Sequence, residues 1–283
     1  MKNSRFLIRV KDAGGNNIGT FAARLCLAGF TLALCTLAQT ARAQSGMAES
    51  ADMITLGTTN LLDTYLSPER YTGTEMRYIV QTTKEKSEKM SYTLTRQGTL
   101  QYAAPRAENA NFIGGTYAFS FALHRQLNLM DNRLRIKLGG MAEVGVGFLY
   151  STRNTNNPAQ GRLYLNLSPN AISTYDFTLW GKTFTMRYEV SAPVVGLMFS
   201  PNYGQSYYEI FSQGNYDHNV AATSPLNAPC LKQMLTVDIP LKKTAIRLGY
   251  LGDIWQAKVN NLSYHTYSHA LLIGFVKKFT IIK

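Results

Sequence analysis

The sequence predicts an all-β protein, an antiparallel transmembrane β-barrel of about ten strands (about eight to twelve tolerated), preceded by a signal peptide. Three observations lead to this fold class: long segments whose side chains alternate, one face of each segment nearly free of charge, and short turns that alternate with longer polar loops. The clearest segment is residues 133–150, RLRIKLGGMAEVGVGFLY, whose even positions are apolar or small and whose odd positions carry the charges. A period of two indicates a strand, because successive side chains point to opposite faces.

The composition favours strands over membrane helices. The chain has 283 residues, 16% of them charged, and it contains 17 Tyr and 13 Phe, residue types that favour strands. Past the N-terminal region no apolar run reaches the ~18 residues that a membrane helix needs. The mean hydropathy of −0.14 is compatible with a membrane barrel, because apolar and polar residues alternate along its strands and their hydropathies cancel in the mean.

The first 43 residues have the pattern of a secretory signal peptide. Basic residues precede an apolar run from Leu25 to Ala38, and Ala41-Arg42-Ala43 then offers a small-x-small cleavage site. A buried or membrane-anchoring helix is the alternative. We therefore divide the chain into a signal peptide at 1–43, an N-terminal segment at 44–72 that includes a weak first strand, and the barrel at 73–283.

Removal of the signal peptide changes the charge and the cysteine count. Residues 1–43 hold six Lys or Arg and one Asp, a net of +5, so the net charge falls from +12 to +7. The basic residues are scattered, which argues against a nucleic-acid partner. Of three cysteines only Cys230 remains, so no internal disulfide is possible, and no spacing indicates a metal site. We expect no cofactor.

Alternating segments continue along the chain and give the strand count. In order, they are residues 53–60, 75–81, 90–102, 113–123, 133–150, 162–180, 184–194, 231–239, 246–254 and 268–280. The first two or three are weaker than the rest, and Pro169 suggests a bulge in the sixth. The segments number ten.

The connections between these segments are of two kinds. Short ones are predicted near residue 84 and at 131–132, 181–182 and 242–243, whereas longer polar ones start at Pro105 and Thr152 and cover 201–229. The two kinds alternate along the chain. Membrane barrels have short turns at one end and long loops at the other, so this alternation supports the fold class.

A soluble barrel or sandwich has the same alternation with its apolar face turned inward, and a soluble secreted protein remains the alternative fold. Three features favour the membrane: small residues on the polar face, charges of both signs there, and aromatic rings near strand ends. Those rings are Tyr150, Tyr175, Phe177, Phe184 and Phe279. Arg96 and Lys277 are misfits, since both share the parity of apolar residues. We expect Lys277 to reach the interface or to follow a bulge.

The charges of the polar face are the first candidate site. We expect them to form a network inside the barrel, in which opposite charges pair. The candidate residues are Glu75, Arg77, Arg135, Lys137, Glu143, Arg187, Glu189, Asp238, Arg247 and Asp253. A narrow channel or solute-binding interior is one hypothesis. A plugged structural network is favoured, because a ten-stranded interior is only slightly wider than an eight-stranded one that side chains fill.

The second candidate is the aromatic-rich stretch SPNYGQSYYEIFSQGNYDHN. It contains Tyr203, Tyr207, Tyr208 and Phe211 among small polar residues. Aromatic loops on a rigid scaffold often bind other molecules, so this stretch is a candidate surface for a cell-surface partner.

We find no catalytic motif: G-x-S-x-G, H-E-x-x-H, a P-loop and a dinucleotide fingerprint are all absent from the sequence. A lipid-modifying hydrolase would need a serine beside a histidine. Ser268 lies between His265 and His269 in sequence, but on one strand it points to the opposite face from both. His124 on another strand is the remaining partner. We therefore expect a noncatalytic barrel, structural, adhesive or a narrow channel, with the hydrolase as the alternative.

Three segments carry a family resemblance: DTYLSPERYTG from Asp63, SPNYGQSYYEIFSQGN from Ser200 and LGYLGDIWQAKVNNLSYHTYSHALLIGFVKKF from Leu248. They resemble the family labelled domain of unknown function 3316. The resemblance implies a secreted outer-membrane barrel of a Gram-negative bacterium and brings no activity with it. The expected partners are the lipid bilayer of the outer membrane and the barrel-assembly machinery.

Overall fold

A computed structural model describes residues 47–280 except 88, 108, 154–156 and 243, and the expected signal peptide lies outside them. The described part contains twelve strands and one short helix. In chain order these are β1 Met47–Asp63, β2 Ser67–Ser87, β3 Met90–Pro105, β4 Phe112–Leu129, β5 Leu134–Ser151, β6 Ala159–Leu179, β7 Lys182–Ser191, β8 Val195–Phe199, α1 Tyr207–Phe211, β9 Val220–Thr223, β10 Leu231–Pro240, β11 Thr244–Val259 and β12 Leu262–Thr280.

Ten of these strands close into one antiparallel barrel. Going around the wall, the order is β1 to β7 in sequence, then β10, β11 and β12, which pairs with β1. The remaining pair, β8 and β9, extends one end of the wall from β6. The predicted all-β class and strand number are confirmed, and the weak first strand lies within β1. Closure leaves no strand edge in the barrel proper, which a sheet in hydrocarbon requires.

The two ends of the barrel differ. At the turn end lie the start of β1, the end of β12 and the short connections that follow β2, β4, β6 and β10. At the loop end lie the longer connections that follow β3, β5 and β8, so the loop end is extracellular by the habit of such barrels. The predicted alternation of lengths is incomplete, because β1–β2 and β11–β12 are also joined tightly at the loop end. The short connection predicted within KEKSEK, residues 84–89, lies at the end of that stretch, since β2 continues to Ser87 and β3 begins at Met90.

The outer wall is apolar and the inner wall is polar, as the alternation predicted. On β5, for example, Val146 and Phe148 are exposed, whereas Leu149 and Ser151 are buried. Aromatic rings form a cluster at the turn end, where Phe177 stacks on Tyr175 and Phe184 with centroid distances of 6.3 and 5.6 Å. The side chain of Phe279, the last predicted ring, lies outside the described residues. In the described part of the chain, no helix is long and apolar enough to cross a membrane.

The predicted bulge near Pro169 is not in β6, which pairs with β5 in one register from Tyr150↔Ala159 to Leu134↔Tyr175. Instead, the irregularity lies in the neighbouring strand. The β6–β7 ladder ends at Asn170↔Ser191 and the β6–β8 ladder starts at Leu167↔Val195, so one additional residue sits opposite Pro169. The intervening segment contains a second proline, which lacks a backbone N–H for the ladder. This is why the predicted strand 184–194 ends earlier than expected, at Ser191 of β7, and the chain resumes a strand only at Val195 of β8.

The misfits Arg96 and Lys277 both lie exposed on the outer wall. The ladders on both sides of each residue have no shift in register there, so the bulge we considered for Lys277 is excluded. Lys277 lies near the turn end of β12, where its amine can reach the interface.

Glycines on the inner wall allow strands and side chains to come close. A Cβ atom on Gly139 would lie 1.7 Å from the carbonyl oxygen of Leu123, which is on the adjacent strand. A Cβ atom on Gly145 would lie 2.2 Å from the ring of Tyr164. Small inward residues are therefore a requirement of this narrow barrel, and the large rings that enter the lumen depend on them.

Candidate functional site

The middle of the lumen holds a buried ion cluster formed by Glu75, Arg77 and Asp253. The Nε of Arg77 donates to Glu75, and its Nη1 donates to Asp253 Oδ2 at 2.5 Å. Gln101 Nε2 and Ser268 Oγ each donate to Glu75 Oε2 at 2.6 Å. The side chains of Glu75 and Arg77 are 0% and 3% exposed. Each charge is therefore paired and hydrogen-bonded, as burial of charge requires.

Hydrogen bonds also join strands that lie opposite each other across the barrel. Gln81 on β2 donates to Glu189 on β7 at 3.0 Å and accepts from Arg187 at 3.1 Å. Lys232 on β10 donates to Gln97 on β3 at 2.8 Å. In each case four strands separate the partners in both directions around the wall. These contacts cross the full width of the lumen and block it at two levels.

The other predicted lumen charges lie in smaller groups. Arg247 pairs with Asp238 at 2.6 Å and with Glu49 at 3.0 Å. Arg135 pairs with Asp176 at 2.9 Å, and Glu143 lies 3.8 Å from Lys232.

Lys137 alone of the predicted lumen charges has no ion pair within 4.0 Å among the described residues. Sequence reasoning missed Glu49, because the first strand has weak alternation. It also missed Lys232 as a network member, although its parity marks it as inward-facing.

An apolar layer fills one side of the lumen, and sequence reasoning missed it. It is contributed by five adjacent strands, β2, β1, β12, β11 and β10. Its buried members are Ala51, Met53, Ile79, Met234, Leu251, Leu272 and Val276. The sequence does contain a signal for this layer, which is a break in the alternation. In Leu271-Leu272-Ile273, for example, the inward position is occupied by an apolar residue. Together with the cross-lumen hydrogen bonds, this layer narrows the interior.

Above the ion cluster, towards the loop end, lies a vestibule. Its empty space is about 840 Å³, with open solvent at its mouth included, and its floor is formed by Tyr164 and Trp255, whose rings meet edge to face at 4.0 Å. Arg162 on its wall donates to Tyr264 Oη at 2.5 Å and lies 3.6 Å from Asp63. The vestibule thus combines two cations, Arg77 and Arg162, two anions, Asp63 and Asp253, and aromatic rings.

Residues 200–219, which we call the cap, fold over the rim of the vestibule. Tyr207 in α1 donates to Gln160 Oε1 at 3.0 Å and accepts from the backbone N–H of Gly161 at 2.6 Å. Tyr65 Oη, in the tight β1–β2 turn, donates to the Gln205 carbonyl at 3.0 Å. Asn260, in the tight β11–β12 turn, donates to two cap carbonyls at 3.0 and 2.9 Å. The two tight turns at the loop end therefore support the cap.

The cap has its own internal structure. Ser206 and Glu209 form a capping box at the start of α1, and Ile210 is fully buried beneath it. The predicted surface aromatics divide into two groups. Tyr207 faces the barrel, whereas Tyr203, Tyr208 and Phe211 are 74%, 66% and 62% exposed. Tyr216, also in the cap, is exposed as well.

Burial of the two anchoring phenols changes their ionisation. The pKa of Tyr65 is raised to about 12, first by burial and then by the charges of Tyr207, Asp63 and Glu209 when ionised. The pKa of Tyr207 is raised to about 12 by burial, which outweighs the opposing effect of the Gly161 N–H. Both phenols are neutral donors at any physiological pH.

The residues considered for a hydrolase are placed apart. Ser268 faces the lumen and donates to Glu75, whereas His265 and His269 face outward and bond Asn60 at 2.8 Å and Tyr250 at 2.5 Å. His124 is bonded to Asn170 at 2.6 Å. Among the described residues, none of these contacts joins Ser268 to a histidine, and no group of three or more His, Cys, Asp or Glu is arranged to hold a metal.

The closed sheet, the apolar outer wall and the polar interior define a transmembrane β-barrel of the outer-membrane class, in which strands alternate apolar outward and polar inward. No curated protein matches the chain. The chain belongs to the family described as "Protein of unknown function (DUF3316)", whose model matches residues 25–283. The family resemblance of the three sequence segments is thereby confirmed.

Solved structures with a similar fold are barrels of the same class. The translocator domain of autotransporter NalP from Neisseria meningitidis is 13% identical, with a TM-score of 0.43 over 92% of this chain and 98% of that one. The outer membrane protease OmpT from Escherichia coli is 8% identical, with a TM-score of 0.46 over 85% and 100%. The COG4313 outer membrane channel from Pseudomonas putida F1 is 9% identical, with a TM-score of 0.36 over 84% and 97%. These likenesses concern the fold alone, and their different functions do not transfer.

Proposed function

We propose that the protein is a noncatalytic, non-conducting barrel of the Gram-negative outer membrane that presents its cap to a cell-surface partner. The observation that carries the proposal is the pair of hydrogen bonds across the lumen, Gln81–Glu189 and Lys232–Gln97. They favour a rigid scaffold over a pore. Assembly by the barrel-assembly machinery belongs to the same proposal.

Conductance tests the non-conducting part. The purified mature chain should give no ion steps in a planar bilayer, because a charge-paired and partly apolar lumen leaves no continuous water path. A variant that shortens the crossing residues, Gln81→Ala with Lys232→Ala, is the matched comparison, and it is expected to leak. Steady ion steps from the unaltered chain would contradict the proposal.

The absence of catalysis is tested by lipid chemistry. The hydrogen bonds of Ser268, His265 and His269 point to structural roles, since none of the three approaches another. A strain that lacks the gene should therefore keep the acyl-chain pattern of its outer-membrane lipids. A loss of a deacylated or transacylated lipid species that the Ser268→Ala chain fails to restore would favour the hydrolase instead.

Recognition is proposed for the exposed face of the cap. Aromatic residues that project from a rigid support bury large areas at low entropic cost, which makes them frequent binding hot spots. The double variant Tyr208→Ala with Phe211→Ala should lose binding to host-cell or neighbouring-cell surfaces. The control is Trp180→Ala, which removes an exposed ring at the turn end. Equal binding by all three chains would refute the recognition surface.

A further inference from the structure

The barrel wall has one discontinuity on the loop-end side of β10. The β10–β11 ladder ends at Leu231↔Ile254, although β11 continues to Val259. In the described chain, β9 pairs with β8 and not with β11. The edge of β11 over residues 255–259 therefore has no strand beside it. Residues 224–230 lie along that edge instead, and we call the gap between them and β11 the seam.

The seam is closed by few contacts. The backbone N–H of Lys258 donates to the Asn227 carbonyl at 2.7 Å, and Cys230 Sγ–H donates to the Gln256 carbonyl at 3.5 Å, a weak bond. By contrast, the β5–β6 ladder is unbroken over the whole length of both strands. The seam therefore opens with the loss of fewer hydrogen bonds than a continuous ladder such as β5–β6.

The seam lies in the loop-end half of the wall. It begins at Leu231 and Ile254, where the β10–β11 ladder ends, and runs towards the loop end. Exposed apolar residues of the wall, among them Leu163 and Val195, lie beyond the ends of β7 and β10, so the apolar band continues past the start of the seam. A molecule that enters the seam comes from the outer leaflet.

A cavity lies directly behind the seam. Its empty space is about 280 Å³ with open solvent included, and Pro193, Met198, Ala228, Cys230 and Trp255 are among the residues that line it. Trp255 also lines the vestibule, so this side chain borders both spaces. The thiol of Cys230 has a pKa raised to about 11, chiefly by burial, which agrees with a largely apolar environment.

The outer side of the seam is apolar as well. Val195 and Val220 are exposed on the wall beside it, and Leu226 at the tip of the covering segment is 97% exposed. Apolar surface is therefore present outside the seam, within it and behind it, and the charged groups of the vestibule follow further in.

We propose that the seam is a lateral entry through which one hydrocarbon chain of an outer-leaflet amphiphile reaches the cavity at Trp255. The polar end of the amphiphile stays at headgroup level. Because the seam is bounded by the edge of β11 on one side and by residues 224–230 on the other, we expect it to admit a single chain. The proposal needs the barrel in a membrane but does not depend on a partner for the cap.

Fluorescence quenching of Trp255 tests the entry. The chain has two tryptophans, so Trp180→Phe leaves Trp255 as the only one. Asn227→Cys with Lys258→Cys, in a Cys230→Ser background, places two thiols on hydrogen-bonded backbones, within reach of a disulfide that locks the seam. The probe is lysophosphatidylcholine brominated near the end of its chain, added to phosphatidylcholine vesicles that contain the mature protein.

In the reduced chain, bromine should quench Trp255, and oxidation to the disulfide should abolish the quenching. The matched control locks the continuous wall with Thr74→Cys and Tyr102→Cys, a cross-strand pair of β2 and β3, and should keep the quenching in both redox states. Equal quenching of the seam variant before and after oxidation overturns the proposal. So does a reduced chain whose Trp255 is not quenched, and that result decides the question even if the disulfide does not form.

Discussion

The middle of the lumen and the loop-end mouth are both restricted, but by different means. The middle is crossed by side chains of the barrel strands themselves, above all the buried ions Glu75, Arg77 and Asp253. The mouth is bordered by the cap, a separate segment that is held by neutral hydrogen bonds of Tyr65, Tyr207 and Asn260. The side chains in the middle belong to the barrel strands, whereas the cap is a separate segment that packs against the loop end of the barrel.

This difference indicates which closure can change during function. Removal of one partner from a buried ion pair leaves an uncompensated charge, so the middle cannot open without a large loss of stability. Neutral hydrogen bonds contribute only about 0.5–1.5 kcal/mol each, because water replaces them when the cap lifts. We therefore expect the middle to be permanent and the cap to be displaceable, and the four predictions below test this contrast.

The largest effect is expected from Arg77→Met. The variant leaves Glu75 and Asp253 without their common cation and should lower the free energy of unfolding by about 3–5 kcal/mol. Urea unfolding of the barrel in lipid vesicles measures this loss. The control is Arg153→Met, which breaks an exposed pair with Glu69 at 3.8 Å and should cost about 1 kcal/mol or less. Equal losses in the two variants would mean that the ion cluster contributes no more than a surface pair.

A smaller loss is expected from Gly145→Val. The new side chain collides with the ring of Tyr164, which must leave its place against Trp255, so stability should fall by about 1–3 kcal/mol. Gly140→Val on the same strand is the control, because a Cβ atom there meets nothing within 4 Å. Unfolding curves of the two variants make the comparison. A control as unstable as Gly145→Val would assign the effect to the loss of glycine rather than to crowding in the lumen.

The barrel itself was predictable from the sequence because its determinants are local. A period of two assigns each residue of a strand to the inside or the outside, and β5 shows this most clearly from Gly145 to Ser151. Closure follows from the need to leave no edge in lipid. The division of β7 from β8 was not predictable, since it depends on an additional residue opposite Pro169 in the neighbouring strand.

The candidate site was predictable only as a list of charges that share the lumen. Which charges meet depends on the register of all ten strands together, and no local pattern encodes contacts such as Lys232–Gln97 across the barrel. Lys137 has the same parity as its neighbours yet has no ion pair among the described residues. In the cap, Tyr207 and Tyr208 are adjacent in sequence, and only the fold of α1 decides that one anchors and the other is exposed.

The third prediction concerns the cap alone. Tyr207→Phe removes the hydrogen bond to Gln160 and leaves the Gly161 N–H without its acceptor, so docking of the cap should weaken by about 1–2 kcal/mol. Amide hydrogen exchange in residues 200–219 should accelerate, whereas exchange in β1–β6 should not. Tyr208→Phe, a change in an exposed ring, is the matched control. Faster exchange throughout the barrel would show that cap and wall unfold together, against the contrast drawn above.

The smallest effect at neutral pH, and the last prediction, is an alkaline release of the cap. A free phenol ionises near pH 10, whereas Tyr65 and Tyr207 in the docked cap have pKa values of about 12 because they are buried. The docked state therefore binds more protons than the released state between pH 10 and pH 12, and its stability must fall as pH rises through that window. Below pH 10 both phenols are protonated in the docked and the released state, so their ionisation should not change the docking free energy.

A nitroxide at position 208, introduced as Tyr208→Cys with Cys230→Ser, reports the release as a gain in spin-label mobility. We expect this gain between pH 10 and pH 12, the window set by the free and docked phenols. In the double variant Tyr65→Phe with Tyr207→Phe, neither anchoring ring can ionise, so the step in that window should disappear even though the cap is looser at every pH. If the step persists in the double variant, other groups control the release, and the cap is held by something other than its two buried phenols.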